Sequence, residues 1–84
     1  MMPIEMYTKN DCHWCEKASD LISKTIGKGR VTIVYNLNTR KEHKENLLKR
    51  YPEAKTVPQI FIDGKHIGGY DDLVEYIDNV TSLG

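Results

Sequence analysis

The stretch MPIEMYTKNDCHWCE, residues 2–16, decides the fold, because its hydrophobic period changes from that of a strand to that of a helix. Apolar and polar residues alternate over Met2–Tyr7, with Tyr7 on the polar side, which predicts a short strand. From about Cys12 apolar residues recur at helical spacing as far as Gly27, which predicts a helix that ends there. The residues expected to share the apolar face of this helix are Trp14, Ala18, Leu21, Ile22 and Ile26.

Two further elements follow this helix. Val31–Tyr35 is rich in β-branched and aromatic residues and predicts a second strand. Strand, helix and strand within about 35 residues form a βαβ unit, so the two strands are expected to be parallel, with a right-handed crossover. Thr39–Glu42 fits a capping box with Thr39 as the N-cap, and it predicts a second helix that ends before Pro52.

The last third of the chain predicts a hairpin and a helix. Gln59–Ile62 has the composition of a strand, and Asp63–Gly64 predicts a tight turn into an antiparallel strand over Lys65–Ile67. A final helix is expected to begin near Asp71 and to bury Leu73, Val74, Ile77 and Val80. The order β-α-β-α-β-β-α predicts an α/β layer, a mixed four-stranded sheet with three helices, in a single domain over residues 1–84.

Composition and charge narrow the classes of function. The 84 residues include 12 basic and 12 acidic side chains, so the net charge is zero, whereas non-specific nucleic-acid binding usually requires a basic excess. No stretch approaches the roughly 20 apolar residues that span a bilayer, and residues 1–6 lack the pattern of a secretory signal. We therefore expect a cytoplasmic protein that binds neither nucleic acid nor membranes. A monomer is a separate expectation, which charge and hydropathy do not decide.

Cys12 and Cys15 are the two cysteines of the chain, too few for a secreted disulfide scaffold. They lie where the first helix is predicted to begin, and there free backbone N–H groups and the helix dipole favour a thiolate. Thiols in such sites have pKa values of roughly 3.5–7.5, against about 8.5 for free cysteine. Because the first cysteine of such a pair is usually the more exposed, we assign Cys12 as the nucleophile and Cys15 as the thiol that resolves the mixed disulfide.

Three other interpretations of the cysteine pair compete with a redox role. A zinc site needs about four ligands, but there is no second cysteine pair and His13, His43 and His66 are scattered, so no metal site is expected. Covalent haem attachment requires a histidine directly after the second cysteine, where this chain has Glu16. A pair of buried, inert cysteines remains a structural alternative.

Thr56-Val57-Pro58 is a second candidate cluster, directly before the third predicted strand. Proline cannot donate a hydrogen bond within a sheet, so it belongs at the start of a strand. A proline here leaves neighbouring backbone free to pair with an extended, peptide-like substrate. An ordinary strand-entry proline explains the same pattern.

Three motifs taken together resemble the glutaredoxin family over nearly the full length of the chain. They are Tyr7-Thr8-Lys9 before the cysteine pair, the segment Thr56–Asp63 (TVPQIFID) and the segment His66–Leu73 (HIGGYDDL). The resemblance implies a thioredoxin-like fold, a cis peptide bond before Pro58, and glutathione as the reductant, with no tightly bound cofactor. It also implies a glutathione-dependent oxidoreductase that reduces protein disulfides and glutathione mixed disulfides.

The resemblance further implies a set of glutathione contacts. Lys9 would bind the glycine carboxylate, with Arg40 and Lys44 as further candidates. The backbone of Val57 would pair with the cysteinyl part. The start of the last helix would bind the γ-glutamyl group, although helix capping alone also explains acidic residues there. The residues concerned are Lys9, Trp14, Thr56, Val57, Pro58, Tyr70, Asp71 and Asp72.

The departures from the family lie around the cysteines. His13-Trp14 replaces the common Pro-Tyr, and Tyr70 occupies a place that is often Cys, Thr or Ser. Trp14 either lines the glutathione groove or packs partly buried, and His13 is expected to modulate the thiols or simply to face solvent. Two alternatives stay open: a small thioredoxin reduced by a flavoprotein reductase, and a carrier that binds an iron–sulfur cluster. Disulfide-containing client proteins are the expected partners, with a ribonucleotide reductase suggested by family analogy.

Overall fold

The computed structural model describes residues 2–82, and within this range the predicted elements occur in the predicted order. The strands are β1 (Ile4–Thr8), β2 (Thr32–Asn36), β3 (Gln59–Ile62) and β4 (Lys65–Gly68). The helices are α1 (His13–Lys24), α2 (Lys41–Arg50) and α3 (Tyr70–Thr81). Residues 1, 83 and 84 of the predicted domain lie outside the described residues. No helix within residues 2–82 is long and apolar enough to cross a membrane.

The sheet is mixed, with the strand order β2-β1-β3-β4. β1 and β2 are parallel, as the βαβ unit predicts, and β3 runs antiparallel to both β1 and β4. Tyr7, near the end of β1, pairs with Gln59, the first residue of β3. The loop that leaves β1 and the loop that enters β3 therefore lie at the same edge of the sheet.

Helices cover both faces of the sheet, whereas the alternation in β1 predicts that one of its sides is polar. We call the face that α1 and α3 cover the first face. The helix α2 covers the second face, where Leu47 packs against Tyr7 and Phe61. Tyr7, predicted to lie on a polar side, is only 2% exposed because α2 buries that side. The first face carries α1 and α3, and the core there consists of Ile4, Met6, Ala18, Ile22, Ile60, Ile62, Leu73 and Ile77.

The predicted capping box of α2 is wrong. The N-cap of this helix is Arg40, whose side chain makes no capping hydrogen bond. Thr39 instead donates twice to the carbonyl oxygen of Asn36, from Oγ1 at 2.9 Å and from its backbone N–H at 3.2 Å. Thr39 thus closes a turn after β2, and the helix begins one residue later than a Thr39 cap requires.

Two helices bury less of their apolar stripe than the periodicity predicts. α1 ends at Lys24, so Ile26 lies beyond the helix, although its side chain still packs against the core that α1 and α3 cover. The N–H of Gly27 donates to the carbonyl of Ile22 at 2.7 Å. Trp14 is 51% exposed in the first turn of α1, and Val80 is 53% exposed in the last turn of α3. Both residues lie outside the two cores, so neither stabilises the fold as a core side chain does.

Candidate active site

The two cysteines lie at the start of α1, where the sequence places them. Cys12 is the N-cap residue and is joined by a disulfide to Cys15 in the first turn, with their Cα atoms 5.2 Å apart. The backbone N–H of Cys15 donates to Cys12 Sγ at 3.2 Å. Such a donor favours the thiolate form of Cys12 in the reduced protein. Cys12 is 8% exposed and Cys15 is 3% exposed, so Cys12 is the more accessible of the two.

The residue before Cys12 has an uncommon backbone conformation. Asp11 has φ of 52°, in the left-handed region that Asp and Asn tolerate better than most residues. From there the chain enters the extended conformation of the N-cap, with φ of −114° and ψ of 100° at Cys12. The carbonyl of Cys12 then accepts from the N–H of Glu16 at 3.1 Å, which starts the helix.

The Thr56-Val57-Pro58 segment lies directly against the cysteine pair. It enters β3 at the same edge of the sheet from which the loop before Cys12 leaves β1. The peptide bond between Val57 and Pro58 is cis, as the resemblance implies. The carbonyl oxygen of Val57 lies 3.8 Å from Cys12 Sγ. Two motifs 45 residues apart in the chain thus form one site.

One side of this segment forms a groove of about 300 Å³, which we call the aromatic groove. The rings of Trp14 and Tyr70 meet there with centroids 5.4 Å apart. Lys17 Nζ lies 4.9 Å from the Trp14 centroid and 5.3 Å from that of Tyr70. Trp14 therefore lines a groove instead of packing in the core. The groove is lined by Trp14, Thr56, Val57, Pro58, Gly69, Tyr70 and Asp71.

The other side forms a larger depression of about 600 Å³, which we call the lysine groove. Its polar lining includes Lys9, Lys44 and Lys55, whose ammonium groups suit an anionic ligand. Thr56 and Val57 line this groove as well as the aromatic groove, so the two depressions meet at that segment. Arg40, a further candidate for the glycine carboxylate, pairs instead with Glu42 at 3.3 Å.

The two aspartates at the start of α3 occupy different positions. Asp71 is exposed and lines the aromatic groove. Asp72 Oδ2 accepts from the backbone N–H of Gly69 at 3.1 Å, at the N-cap of α3. The Asp72 carboxylate also lies where a Cβ at Gly68 would stand, and Gly68 has φ of 125°. The capping explanation therefore applies to Asp72 more than to Asp71.

Sequence reasoning missed a pair that supports the Thr56 backbone. Buried Gln59 donates from Nε2 to the Thr56 carbonyl at 3.1 Å, and its Oε1 lies 2.7 Å from His66 Nε2. Burial lowers the pKa of His66, Arg50 lowers it further, and Asp72 opposes both effects. The hairpin signal could have revealed this pair, because a turn at Asp63–Gly64 brings the start of β3 close to β4.

The remaining candidate, His13, is the first residue of α1 and is exposed. Its ring meets that of Trp14 edge-on, with centroids 5.5 Å apart. Within residues 2–82, no three His, Cys, Asp or Glu side chains are grouped so that they could hold a metal ion.

Comparisons with known proteins agree with this geometry. A sequence model of the glutaredoxin family matches residues 4–67. Glutaredoxin 3 of Escherichia coli strain K12 is 43% identical over 74 residues, which cover 87% of this chain and 83% of that protein. The solution structure of a Brucella melitensis glutaredoxin matches with a TM-score of 0.71 and 30% identity, over 94% of this chain and 82% of that one. A crystal structure of a buckwheat glutaredoxin–glutathione complex matches with a TM-score of 0.74 and 27% identity, over 93% and 70%.

These structural matches confirm the predicted thioredoxin-like fold, and the sequence matches confirm the predicted class of activity. In glutaredoxins the reaction is the exchange of thiols and disulfides, for which a cysteine pair at a helix N-terminus is chemically suited. The chain belongs to the glutaredoxin family of thiol–disulfide oxidoreductases.

Proposed function

We propose that glutathione is the reductant of this oxidoreductase, and that its substrates are protein disulfides and glutathione mixed disulfides. The observation that carries the proposal is the position of the Cys12–Cys15 pair against Val57, where the two grooves meet. The buckwheat glutaredoxin with a similar fold forms a complex with glutathione, which supports the same ligand here.

In the proposed reaction Cys12 attacks and Cys15 resolves. The Cys12 thiolate attacks one sulfur of a client disulfide, forms a mixed disulfide and releases the other client sulfur as a thiolate that takes up a proton. The Cys15 thiolate then attacks Cys12 Sγ, which re-forms the Cys12–Cys15 disulfide and releases the second client thiol. The client gains two electrons and two protons, and the enzyme is oxidised.

Two glutathione molecules return the enzyme to its dithiol form. The thiolate of the first attacks Cys12 Sγ, which frees Cys15 and leaves glutathione bound to Cys12. The thiolate of the second attacks the sulfur of the bound glutathione, which yields glutathione disulfide and the Cys12 thiolate. A client that carries a glutathione mixed disulfide needs only Cys12, because transfer of glutathione to Cys12 gives the same intermediate.

Glutathione is a tripeptide with a carboxylate at each end and an ammonium group on its γ-glutamyl part. A molecule lying across Val57 would place its cysteinyl part beside Cys12 and its two ends in the two grooves. The γ-glutamyl ammonium would then meet Asp71, and the glycine carboxylate would meet Lys9 and Lys44. Trp14, Pro58 and Tyr70 would supply contact area.

Asp72 has a less direct role in this arrangement. Its carboxylate caps α3, so it would fix the helix start at which the γ-glutamyl carboxylate binds. Thr56 and Val57 would pair with the cysteinyl backbone in the manner of an added strand. We place the activity in the cytoplasm, where glutathione is kept largely reduced, and we propose that the enzyme acts as a monomer with no tightly bound cofactor.

The test is to reduce the purified, oxidised protein with each of two electron sources in separate reactions. One reaction contains reduced glutathione, and the other contains a flavoprotein thioredoxin reductase with its nicotinamide cofactor. We expect reduction by glutathione and little by the reductase. Reduction by the reductase alone would assign the chain to a thioredoxin-like role, and a visible absorption band after anaerobic purification would favour an iron–sulfur carrier.

A further inference from the structure

A closed ring of hydrogen bonds joins the loop before Cys12 to the loop after β2. The backbone N–H of Asn10 donates to Asn38 Oδ1 at 2.7 Å. The backbone N–H of Asn38 donates to Asn36 Oδ1, also at 2.7 Å. Asn36 Nδ2 completes the ring by donating to Asn10 Oδ1 at 3.0 Å. Each asparagine gives one hydrogen bond and receives one, and we call the three residues the asparagine ring.

The ring holds a loop that carries two parts of the site. Lys9 precedes Asn10 in this loop, and Asp11, with its left-handed backbone, leads directly to Cys12. The N–H of Leu37 donates to the Thr8 carbonyl at 2.8 Å, so the two loops are also tied where β1 ends. The ring therefore holds the loop at Asn10, and the bond to Thr8 holds the end of the strand from which the loop leaves.

The ring also borders the lysine groove. Asn38 lines that groove together with Lys9 and Lys44. The wall that carries Lys9 is therefore bonded to the wall that carries Asn38. A free loop would have to become ordered when an anion binds, which costs conformational entropy. A loop that is already ordered avoids this cost on binding.

We infer that Asn10, Asn36 and Asn38 are positioning residues that hold Lys9 ready for the glycine carboxylate of glutathione. This inference rests on the proposed function, since it concerns the same ligand. The side-chain hydrogen bonds of the three residues run to one another and not to Cys12 or Cys15, so we expect them to act through Lys9. Their loss is therefore expected to raise KM for a glutathionylated peptide with little change in kcat.

The first test removes the ring without adding charge. Asn36→Leu has a similar size but can neither donate nor accept, and Asn46→Leu makes the same change at an exposed position of α2 outside the ring. We expect KM to rise roughly threefold to tenfold in Asn36→Leu, the range for one or two lost hydrogen bonds. The KM of Asn46→Leu is expected to stay at the wild-type value.

The second test uses the reciprocity of the ring. In Asn10→Asp the new carboxylate can accept from Asn36 Nδ2, and in Asn36→Asp the Asn10 amide can rotate and donate. In the double variant two carboxylates face each other, which leaves no donor between them. We expect KM to rise in the double variant by more than the product of the two single effects. Each single variant adds one negative charge, and independent effects of the two charges on KM would multiply. A rise beyond that product therefore reports the hydrogen bond lost between the two side chains.

Both tests are repeated in a Lys9→Met background, where a ring that acts through Lys9 should have little left to change. A raised KM in Lys9→Met, with wild-type KM in Asn36→Leu and in the double aspartate variant, would overturn the positioning role alone. Equal ring effects with and without Lys9 would also overturn it. An unchanged KM in Lys9→Met would instead refute the proposed glutathione contact, and with it the inference. Failure of glutathione to reduce the wild-type protein would refute the proposed function itself.

Discussion

Cys12 Sγ lies 3.8 Å from the carbonyl oxygen of Val57, although 45 positions separate these residues in the chain. They meet because β1 and β3 are antiparallel neighbours, so the loop after one strand faces the loop before the other. The Cys15 N–H on one side of the sulfur favours a thiolate, whereas a carbonyl oxygen on the other favours a protonated thiol. A substrate backbone that pairs with Val57 would bring its own sulfur within reach of Cys12.

His13 is the first residue to test, because it replaces the proline that is common in the family. His13 directly follows Cys12 in the chain, so a positive imidazole there would favour the Cys12 thiolate. A more stable thiolate makes the disulfide a stronger oxidant, so His13→Ala should make the protein more reducing. Each unit by which the pKa of Cys12 rises in His13→Ala corresponds to about 1.4 kcal/mol, which is about 30 mV for a two-electron couple.

The size of this effect should depend on pH, because only the protonated imidazole carries a positive charge. The difference between wild type and His13→Ala should therefore be larger near pH 6 than near pH 8. Redox titration of both proteins against glutathione buffers at these two values checks the prediction. A difference that is absent, or that does not change with pH, would leave His13 as an exposed spacer.

Periodicity and turn chemistry predicted the order of the elements, because those signals are local. The parallel pairing of β1 and β2 follows from the connection between them, and the β3–β4 hairpin follows from Asp63–Gly64. These features place Cys12 and Val57 at one edge of the sheet. Both halves of the candidate site could therefore be predicted from the sequence.

Features that depend on pairing between distant segments could not be predicted. Tyr7 is buried because α2 packs on the second face of the sheet. The alternation of residues in β1 is a local pattern and does not indicate where that helix packs. Thr39 does not cap α2, because its hydroxyl donates instead to the carbonyl oxygen of Asn36 in a turn. Asn10 and Asn38 look like ordinary loop residues until the two loops are brought together.

Lys9 and Asp71 line different grooves, so their substitution should weaken the binding of opposite ends of glutathione. Lys9→Met and Asp71→Asn are each expected to raise KM for a glutathionylated peptide by roughly tenfold, the scale of a lost charged contact of about 1.5 kcal/mol. Lys65→Met and Asp78→Asn are matched controls at exposed positions outside both grooves. A KM that changes no more in the test variants than in the controls would show that Lys9 and Asp71 do not contact glutathione.

Asp72 should behave differently from its neighbour, because its carboxylate caps α3. Asp72→Ala is expected to lower the free energy of unfolding by about 1 kcal/mol, the scale of the one hydrogen bond that Asp72 accepts from the N-cap backbone. Asp71→Ala, which removes no cap, should lower it by less. Urea denaturation of both variants measures the difference, and equal losses would show that the cap does not distinguish the two aspartates.

Glu5 links stability to pH through its contact with Arg50. The Glu5 carboxylate accepts from Arg50 at 2.9 and 3.1 Å and from Tyr35 OH at 3.0 Å, and its side chain is 15% exposed. The hydrogen bond from Arg50 lowers the pKa of Glu5 against the opposing effect of burial, and Tyr35 lowers it further. The folded value therefore lies below the ordinary value of about 4.5.

Because folding lowers this pKa, the stability it contributes is fully present above about pH 4.5 and is lost as the pH falls through the folded value. Glu5→Gln should lower the free energy of unfolding at neutral pH by about 1–3 kcal/mol. The deficit should shrink below about pH 4.5, where the wild-type protein loses the same interaction. Denaturation curves across this range check it, and a deficit that stays constant with pH would argue against the ion pair.

The separate roles of the two cysteines are tested most directly by comparing Cys12→Ser with Cys15→Ser in two assays, one on a glutathionylated peptide and one on a protein disulfide. Cys12→Ser should be inactive in both, because it lacks the attacking sulfur. Cys15→Ser should keep turnover on the glutathionylated peptide, where a second glutathione resolves the mixed disulfide, and should lose most reduction of the protein disulfide. Identical behaviour of the two variants in both assays would contradict the assignment of Cys12 as nucleophile and Cys15 as resolving thiol.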